Sequence, residues 1–487
     1  MNNLEQLVNY DDKPVPTFLE QRQEKIRPYQ WNNYKQVFKI DSVGYLDPES
    51  MITVQLKTNQ TMNGNYRVNQ MTGILGGIKR ARLYASDILL EDNQAPDKLS
   101  VLKYINTLPA DVRNGYWGHL LGIQNAVQIM SSADANRPNS GGGTIQANIG
   151  QTSGISIGDN QNPRSDPTVH NCPILATTAG TFKYGIPLYL LFNSLKGRQI
   201  PLHLFRDYQL RIEIDWKTSD KYVNNDYMDD TSRNNNNLRS LSGDVIPDTQ
   251  NSELFINYIL PPASIMEAEL DKMNQQGGYP MLFNEVVDIK KVLPATASAA
   301  NREEQVVEHY IGLENKEVNT ITLFKNVQNS VNSDNTRYWL DTGSRAMLNE
   351  RYNVKFNGQW IYNEEIDNVA QQYNLLTDML GNDVDISRPM ILWDENVITS
   401  VLTYIDSGLQ GTYKPLCIAD LRDANGNGQR CTGSKIVVEF KNDRVNSVAG
   451  YCKDYRSEIL DCDYVCELSR RVNIVNSGNK FNIMVAS

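Results

Sequence analysis

The stretch Gly185–Trp216, GIPLYLLFNSLKGRQIPLHLFRDYQLRIEIDW, contains one short phrase twice and ends in a strict alternation. The phrase Ile-Pro-Leu opens an apolar run at Ile186 and again at Ile200. Proline cannot donate a hydrogen bond to a sheet ladder, so it is found at the first residue of a strand more readily than inside one. We therefore expect two consecutive strands, one at each Ile-Pro-Leu phrase, the second of them at Ile200–Phe205.

The second run ends with apolar and charged residues at alternate positions. Leu210, Ile212, Ile214 and Trp216 share one parity, and Arg211, Glu213 and Asp215 share the other. This is the two-residue period of a strand that turns one face to a core and the other to water.

The chain has 487 residues and a mass of 55.2 kDa, more than a single hydrophobic core usually serves. Residues 1–35 are polar, contain three prolines and show little periodicity, which indicates an N-terminal arm that is mobile or ordered only by a neighbour. The strand pattern then runs through residues 36–262 and restarts at 283. We expect two domains, 36–262 and 283–487, joined by a linker at 263–282.

Both domains are expected to consist of strands with one helical excursion each. The helical segments are Leu108–Met130 and Glu364–Leu380, and long surface loops are expected at Ser131–Thr168 and Lys217–Ser252. The other predicted strands are Val37–Val43, Ser50–Lys57, Ile74–Leu90, Ser252–Leu260, Phe283–Leu293, Glu304–Ile311, Val318–Val327, Tyr352–Tyr362, Pro389–Trp393, Tyr413–Leu421, Lys435–Phe440, Ile459–Leu468 and Phe481–Val485.

The net charge is −10, with 47 basic and 57 acidic residues, which disfavours general binding to nucleic acid or to anionic membranes. A basic spot at Lys79, Arg80 and Arg82 is typical of a solvated face. The longest apolar stretch, Ile186–Phe192, is far too short to span a membrane, and the N-terminus lacks the pattern of a secretory signal. We therefore expect a protein made and folded inside a cell.

Five of the six cysteines lie between Cys417 and Cys466. Cys462, Tyr464 and Cys466 alternate along a predicted strand and would share one face, where free cysteine behaves as a small hydrophobe. A metal site would need a CxxC pair or a histidine at ligand spacing, and neither is present. Reduced core cysteines are the favoured interpretation.

Two motifs match functional sites in their residue pattern but not in their sequence context. Gly154–Gly158 matches GxSxG, but it lies in a Gly/Asn/Ser-rich segment that cannot begin a packed helix. Asp423–Gly428 matches the first half of a calcium loop, but Ser434 stands where the loop needs glutamate, so a hairpin turn is expected. The four histidines, His119, His170, His203 and His309, lack metal or triad spacing. We predict no catalytic, cofactor-binding or metal-binding residue and no enzyme.

The two Ile-Pro-Leu phrases followed by the Leu210 strand resemble a segment of the double jelly-roll major capsid proteins of DNA viruses. Tyr208 stands where a histidine is often found in the large-virus members, and the chain is modest in length. Both departures point to the polinton-like virus or virophage branch. The segment from Lys414 loosely repeats the Pro-Leu arrangement, which fits two similar sandwiches in tandem. The resemblance implies an all-β fold of two tandem eight-stranded jelly-roll sandwiches with short helical excursions and long surface loops.

The same resemblance implies a structural function without a cofactor. A homotrimer would form a pseudo-hexagonal capsomer and, with neighbouring capsomers and vertex or minor capsid proteins, tile an icosahedral shell. The protein would be part of the virion, assembled inside the infected host cell, with no sequence-specific nucleic-acid binding and no membrane span.

Two alternatives stay open at this point. One is a minor capsid or vertex protein, which commonly has one sandwich. The other is a carbohydrate-binding or carbohydrate-cleaving β-sandwich, which the 25 tyrosines and six tryptophans allow but the absence of a convincing carboxylate pair disfavours.

Overall fold

A computed structural model of the chain describes residues 20–58, 66–68, 73–99, 120–121, 183–196, 198–218, 223–225, 245–294, 305–327, 350–367, 369–380, 416–424, 426–432, 435–442, 460–476 and 480–486. The predicted helical segment Leu108–Met130 lies outside them except for residues 120–121. The loop Ser131–Thr168, the Gly154–Gly158 motif, the strand Pro389–Trp393, His119 and His170 lie outside them entirely.

The strands of the N-terminal half are β1 (Glu20–Ile26), β2 (Gln30–Asn32), β3 (Lys35–Ile40), β4 (Tyr45–Leu46), β5 (Met51–Thr58), β6 (Tyr66–Val68), β7 (Ile78–Ala85), β8 (Ile88–Asn93), β9 (Lys183–Pro187), β10 (Ile200–Pro201), β11 (Leu210–Trp216), β12 (Val223–Asn225), β13 (Val245–Pro247) and β14 (Glu253–Leu260). Those of the C-terminal half are β15 (Tyr279–Leu293), β16 (Gln305–Ile311), β17 (Glu317–Val327), β18 (Glu350–Phe356), β19 (Gln359–Trp360), β20 (Leu416–Asp420), β21 (Gln429–Arg430), β22 (Ile436–Asn442), β23 (Leu460–Asn476) and β24 (Phe481–Ala486). The helices are α1 (Pro96–Leu99), α2 (Leu188–Leu191), α3 (Ala263–Gln276) and α4 (Val369–Leu380).

One large sheet runs through both halves of the chain. Its strand order is β2-β3-β11-β7-β8-β15-β23-β17-β20, with β21 paired to β17 and β24 paired to β23. The halves meet where β8 and β15 pair in parallel, with Glu285 opposite Asp92. A seven-stranded sheet, β10-β4-β14-β5-β13 with β1 and β9, belongs to the N-terminal half, and a four-stranded sheet, β16-β22-β18-β19, belongs to the C-terminal half.

Two hydrophobic cores lie between these sheets. The first joins side chains of the large sheet, such as Phe38 and Ile212, to side chains of the seven-stranded sheet, such as Ile52. The second joins Tyr464 of the large sheet to Val438 of the four-stranded sheet. Each core is therefore enclosed by two sheets, which is the layer arrangement of a β-sandwich.

Two long strands contribute to both cores. β15 and β23 pair in an unbroken antiparallel register from Tyr279 opposite Ile474 to Leu293 opposite Leu460. On β23, Cys462 and Tyr464 are buried in the second core, whereas Val472 and Ile474 are buried in the first. The pair therefore connects the two sandwiches, and the residues after 470 return to the first core although the sequence placed them in the second domain.

The prolines of the opening stretch do not begin strands. Pro187 ends β9 and lies at the N-cap of α2, and Pro201 ends β10 and precedes a 3₁₀ turn over Leu202–Phe205. The predicted strand from Ile200 to Phe205 is therefore wrong beyond its first two residues. A proline fixes φ near the helical value and lacks only a donor that the first turn would leave unpaired, so it suits the start of a helical turn equally well.

The alternation in β11 is confirmed on its core face, because Leu210, Ile212, Ile214 and Trp216 are all buried. The opposite face is less exposed than expected. Glu213 is buried beneath ion pairs with Lys35 at 2.9 Å and with Arg82 at 3.2 Å.

The predicted N-terminal arm is partly built into the fold. β1 pairs with β14 along seven residues, from Glu20 opposite Leu260 to Ile26 opposite Leu254, and β2 forms an edge of the large sheet. These strands were not predicted because their sequences are polar and show no alternation. A strand at a sheet edge tolerates polar side chains on an exposed face.

The expected linker 263–282 is mostly a helix, α3, and β15 begins at Tyr279 instead of Phe283. Gly277 ends the helix in the left-handed conformation at φ 71°, the usual role of glycine after a helix. The second predicted helix is shorter than expected, because α4 begins at Val369 and Glu364 lies before it. Lys217–Ser252 is also not all loop, since it includes β12 and β13.

Candidate functional site

Where the two cores adjoin, charged side chains are buried beside apolar ones. We call this region the seam, and it is formed by α1, the parallel pair β8 and β15, and the middle of β23. A small apolar cluster lies within it, made of Ala95, Leu99, Val286, Phe324, Leu376, Met379 and Val465. Buried charges in such a place are stable only when they are paired.

Lys98 is the central cation of the seam. Its Nζ lies 2.7 Å from Asp463 Oδ2 and 2.9 Å from Asp288 Oδ2, and its side chain is 4% exposed. Burial alone lowers the pKa of Lys98, but the negative charges of Asp463 and Asp288 outweigh burial and raise that pKa above the ordinary lysine value. Burial raises the pKa of Asp288, opposed in part by the charge of Lys98. One ammonium group thus links three segments far apart in sequence.

Further ion pairs extend the seam on the first-core side. Lys217 Nζ lies 2.6 Å from Asp97 Oδ2. Arg80 donates two hydrogen bonds to Asp92, from Nε at 2.7 Å and from a terminal nitrogen at 2.6 Å. The bidentate arrangement fixes the guanidinium in one orientation and neutralises a carboxylate that is almost fully buried.

A buried carboxyl group, Glu91, lies on the core side of β8. It accepts a hydrogen bond from the backbone N–H of Ser194 at 3.2 Å and a second from the Ser194 hydroxyl. Burial raises the pKa of Glu91 to about 8, although the hydrogen bonds from Ser194 act in the opposite direction. Glu91 therefore holds a proton at neutral pH and joins β8 to the turn that follows α2.

Glu467 on β23 is held in a similar way from both halves of the chain. It accepts hydrogen bonds from Asn193 Nδ2 at 3.0 Å and from Thr320 Oγ1 at 2.7 Å. The same turn that binds Glu91 thus also contacts the C-terminal half. The hydrogen bonds and ion pairs of the seam therefore connect residues of both sandwiches.

A groove crosses one end of the large sheet beside the seam. It consists of two adjoining depressions of about 740 Å³ and about 510 Å³ that share Tyr34, Lys79 and Trp216. We call it the sheet-end groove. At the β2 edge Trp31 is 49% exposed, and Tyr34 is 43% exposed. At the other end the lining reaches Lys290 and the Lys98 cluster.

The helix α3 is anchored to the first sandwich by a buried acid. Glu269 Oε2 lies 3.1 Å from His203 Nε2, and His203 Nδ1 lies 3.1 Å from the carbonyl oxygen of Gly44. Burial, and then the charge of Glu269, raise the pKa of Tyr45 well above its ordinary value. His203 thus lies in a 3₁₀ turn and not in the predicted strand, and its side chain contacts α3.

Other residues singled out from the sequence have structural environments. His309 is buried, with Nδ1 2.7 Å from the Tyr464 hydroxyl and Nε2 3.2 Å from the Val292 carbonyl oxygen. Burial lowers the pKa of His309 below its ordinary value. Cys462 and Cys466 are both buried in the second core, as their alternation predicted.

The Asp423–Gly428 segment is a compact turn, but not a hairpin. Asp423 Oδ1 accepts the backbone N–H of Asn427 at 2.8 Å, and Gly426 adopts φ 79°. The strands on either side, β20 and β21, both pair with β17 instead of with each other. The turn is therefore an excursion from one edge of the sheet, and its hairpin assignment was wrong.

The predicted basic spot is only partly a solvated face. Arg80 is paired with Asp92, and Arg82 lies 2.6 Å from Asp215, whereas Lys79 is exposed at the sheet-end groove. Sequence reasoning missed Lys98, Asp288 and Asp463 altogether. Each stands singly in an unremarkable segment, and only the pairing of β15 with β23 brings the two carboxylates together.

Within the described ranges, no group of three or more histidine, cysteine, aspartate or glutamate side chains is arranged to hold a metal ion. In the same ranges, none of the helices has the length and apolar character that crossing a membrane requires.

No protein-family model and no curated protein matches the sequence. Solved structures match its fold along nearly the whole chain. The capsid of the virus PBCV-1 superposes with a TM-score of 0.51 at 10% identity, covering 98% of this chain and 99% of that chain. The Faustovirus major capsid protein superposes with a TM-score of 0.50 at 13% identity, covering 99% of this chain and 92% of that chain. The chain has the double jelly-roll fold that these viral capsid proteins share.

Proposed function

We propose that this chain is a major capsid protein, a structural building block of an icosahedral virus shell and not an enzyme. The observation that carries the proposal is the extent of the fold match, which covers nearly all of both chains and includes both sandwiches. A minor capsid protein with one sandwich would leave half of this chain unmatched.

The proposed unit is a homotrimer. A chain with two similar sandwiches side by side gives six sandwiches in a threefold assembly, which is a pseudo-hexagonal block with closed symmetry. The β15–β23 pair and the charged seam support this geometry, because they hold the two sandwiches of one chain in a fixed relation. A rigid subunit lowers the entropy that each assembly contact must overcome.

The division into domains belongs to the same proposal. We place the first jelly-roll at 36–262 and the second at 283–487, with the segment 263–282 between them. The described β1 and β2 add the second half of the arm 1–35 to the first unit, and β24 packs on the first core through Phe481. Because β24 belongs to the second unit by sequence but packs on the first core, the two units would be interdependent.

Contacts with neighbouring capsomers and with vertex or minor capsid proteins are proposed to use surfaces of the second sandwich. Val306 and Tyr310 on the edge strand β16 are 51% and 48% exposed, and Trp360 on β19 is also exposed. Large apolar side chains on an exposed sheet edge are a common feature of assembly surfaces. The protein would reside in the virion after assembly inside an infected cell, in a virus of polinton-like or virophage type.

The test is the mass of the purified protein by light scattering, with negative-stain images of the same peak. We expect a particle three times the chain mass of 55.2 kDa with a hexagonal outline. A matched pair of variants, Tyr310→Ser on β16 and Tyr29→Ser at an exposed tyrosine of the first half, separates the lattice contact from general effects. A stable, featureless monomer would overturn the capsid proposal and favour a ligand-binding β-sandwich.

A further inference from the structure

The sheet-end groove carries uncompensated positive charge. Among its lining residues Asp97 is paired with Lys217, Asp215 with Arg82, and Asp288 and Asp463 with Lys98. Within the described part of the chain, neither Lys79 nor Lys290 has a carboxylate within ion-pair distance, and both side chains are exposed. Lys79 and Lys290 are thus left without an acidic partner, while Lys98 alone faces two carboxylates, so the groove keeps a net excess of one positive charge.

The groove is long and follows the end of the large sheet. Its lining residues come from β2, β3, β11, β7, β15 and β23, and from the segment after β8. Together with β8 these six strands form seven consecutive strands of the sheet. Neighbouring strands lie about 4.8 Å apart, which gives a length of roughly 30 Å. An elongated ligand fits this shape better than a compact one.

Aromatic side chains stand at the open end of the groove. Trp31 and Tyr34 are both well exposed, and they lie next to the cationic lining of Lys35 and Lys79. Exposed aromatic rings beside a cationic track are how proteins bind single-stranded nucleic acid without reading sequence, because bases stack on rings while lysines contact phosphates. An acidic polypeptide would use the lysines but gain little from the rings.

We propose that the sheet-end groove binds single-stranded nucleic acid in a sequence-independent manner, with Lys79 and Lys290 on the phosphates and Trp31 and Tyr34 stacking on bases. This inference rests on the proposed function for its biological partner, since a virus shell encloses a packaged nucleic acid. It is compatible with the net charge of −10, because the excess cations are local to the groove.

The test is fluorescence anisotropy of the full-length protein with a labelled oligothymidylate of about 15 nucleotides, titrated at several salt concentrations. Each phosphate contact contributes about −0.7 to the slope of log affinity against log salt for single strands. The double variant Lys79→Gln with Lys290→Gln should therefore flatten the slope by about 1.4 and weaken binding roughly tenfold at low salt. The control Lys272→Gln with Lys480→Gln removes the same charge from exposed lysines outside the groove.

The aromatic half of the proposal is tested separately. Replacing Trp31 and Tyr34 together by alanine should weaken oligothymidylate binding roughly tenfold and leave the salt slope unchanged. The control is Trp360→Ala, another exposed tryptophan outside the groove. Polyglutamate of similar charge is the competing probe.

Three outcomes would overturn the inference. They are the absence of oligothymidylate binding, binding that the groove variants do not change, and equal binding of polyglutamate with no effect of the aromatic changes. The last outcome would assign the groove to an acidic polypeptide. Trimers of normal mass and outline in these same samples would show that the capsid proposal is unaffected.

Discussion

Removing the charge of Lys98 should strongly destabilise the protein, because it leaves two buried carboxylates without their cation. Coulomb's law at an effective dielectric constant of about 20 gives about 6 kcal/mol for a contact of the length seen to Asp463, 2.7 Å, and nearly as much for the contact to Asp288, 2.9 Å. Most of this attraction offsets the cost of burying the three charges. Breaking a buried ion pair from one side typically costs about 3–5 kcal/mol, and we expect that loss for Lys98→Met.

Neutralising the two carboxylates as well should restore part of the stability lost in Lys98→Met. In the triple variant Lys98→Met, Asp288→Asn and Asp463→Asn this cluster keeps no unpaired buried charge, so at least half of the lost stability should return. The single change leaves two carboxylates facing each other without a cation, whereas the triple change leaves three neutral side chains of similar size. The difference between the two variants isolates the electrostatic part of the loss.

The assay is urea unfolding followed by far-ultraviolet circular dichroism and by tryptophan fluorescence. We expect one transition for the natural protein and an earlier transition for Lys98→Met, in which the two signals separate because the sandwiches no longer unfold together. A Lys98→Met midpoint equal to that of the natural protein would refute the account. So would a triple variant that is no more stable than the single one.

Three other predictions follow from single residues. Glu91 has its folded-state pKa raised from 4.5 to about 8, so the folded state binds more protons and stability should fall by roughly 1 kcal/mol per pH unit as the pH rises through that window; urea unfolding of Glu91→Gln should show a flatter pH dependence, and parallel curves would contradict the assignment. Ile212→Asp places an unpaired carboxylate at a position with 0% exposure and should cost more than about 4 kcal/mol; a native trimer from this variant, measured by light scattering, would disprove the strand assignment. The Asp423 turn is closed by its own hydrogen bonds, so micromolar calcium should leave the melting temperature unchanged, and a clear rise on titration would show a bound ion.

Much of the strand content could be predicted from local pattern. The alternation from Leu210 to Trp216 placed the core face of β11 correctly, and the spacing of Cys462 and Cys466 placed both thiols in a core. These predictions succeeded because the period of a strand depends only on backbone geometry. Strand ends and edges were predicted less well, since β1 and β2 have polar sequences and lie at sheet edges where burial imposes no pattern.

The prolines at Pro187 and Pro201 show a second limit. Proline restricts its own φ and removes a donor, and both facts suit the start of a strand and the start of a helical turn. The sequence around each proline is therefore compatible both with the start of a strand and with the start of a helical turn. Packing favours the turn, because Leu188 and Leu202, just after the prolines, lie in helical turns and are buried in the first core.

The sequence by itself determined the class of the fold, because periodic burial, length and the spacing of turns are local or summed properties of the chain. Only the tertiary structure decided the seam. Lys98 is 190 positions from Asp288 and 365 positions from Asp463, and no local pattern links residues so far apart. The β15–β23 register and the parallel contact with β8 bring them within hydrogen-bonding distance. The same pairing aligns the strand ends that form the sheet-end groove, because neighbours in a sheet are chosen by the whole fold and not by adjacent residues.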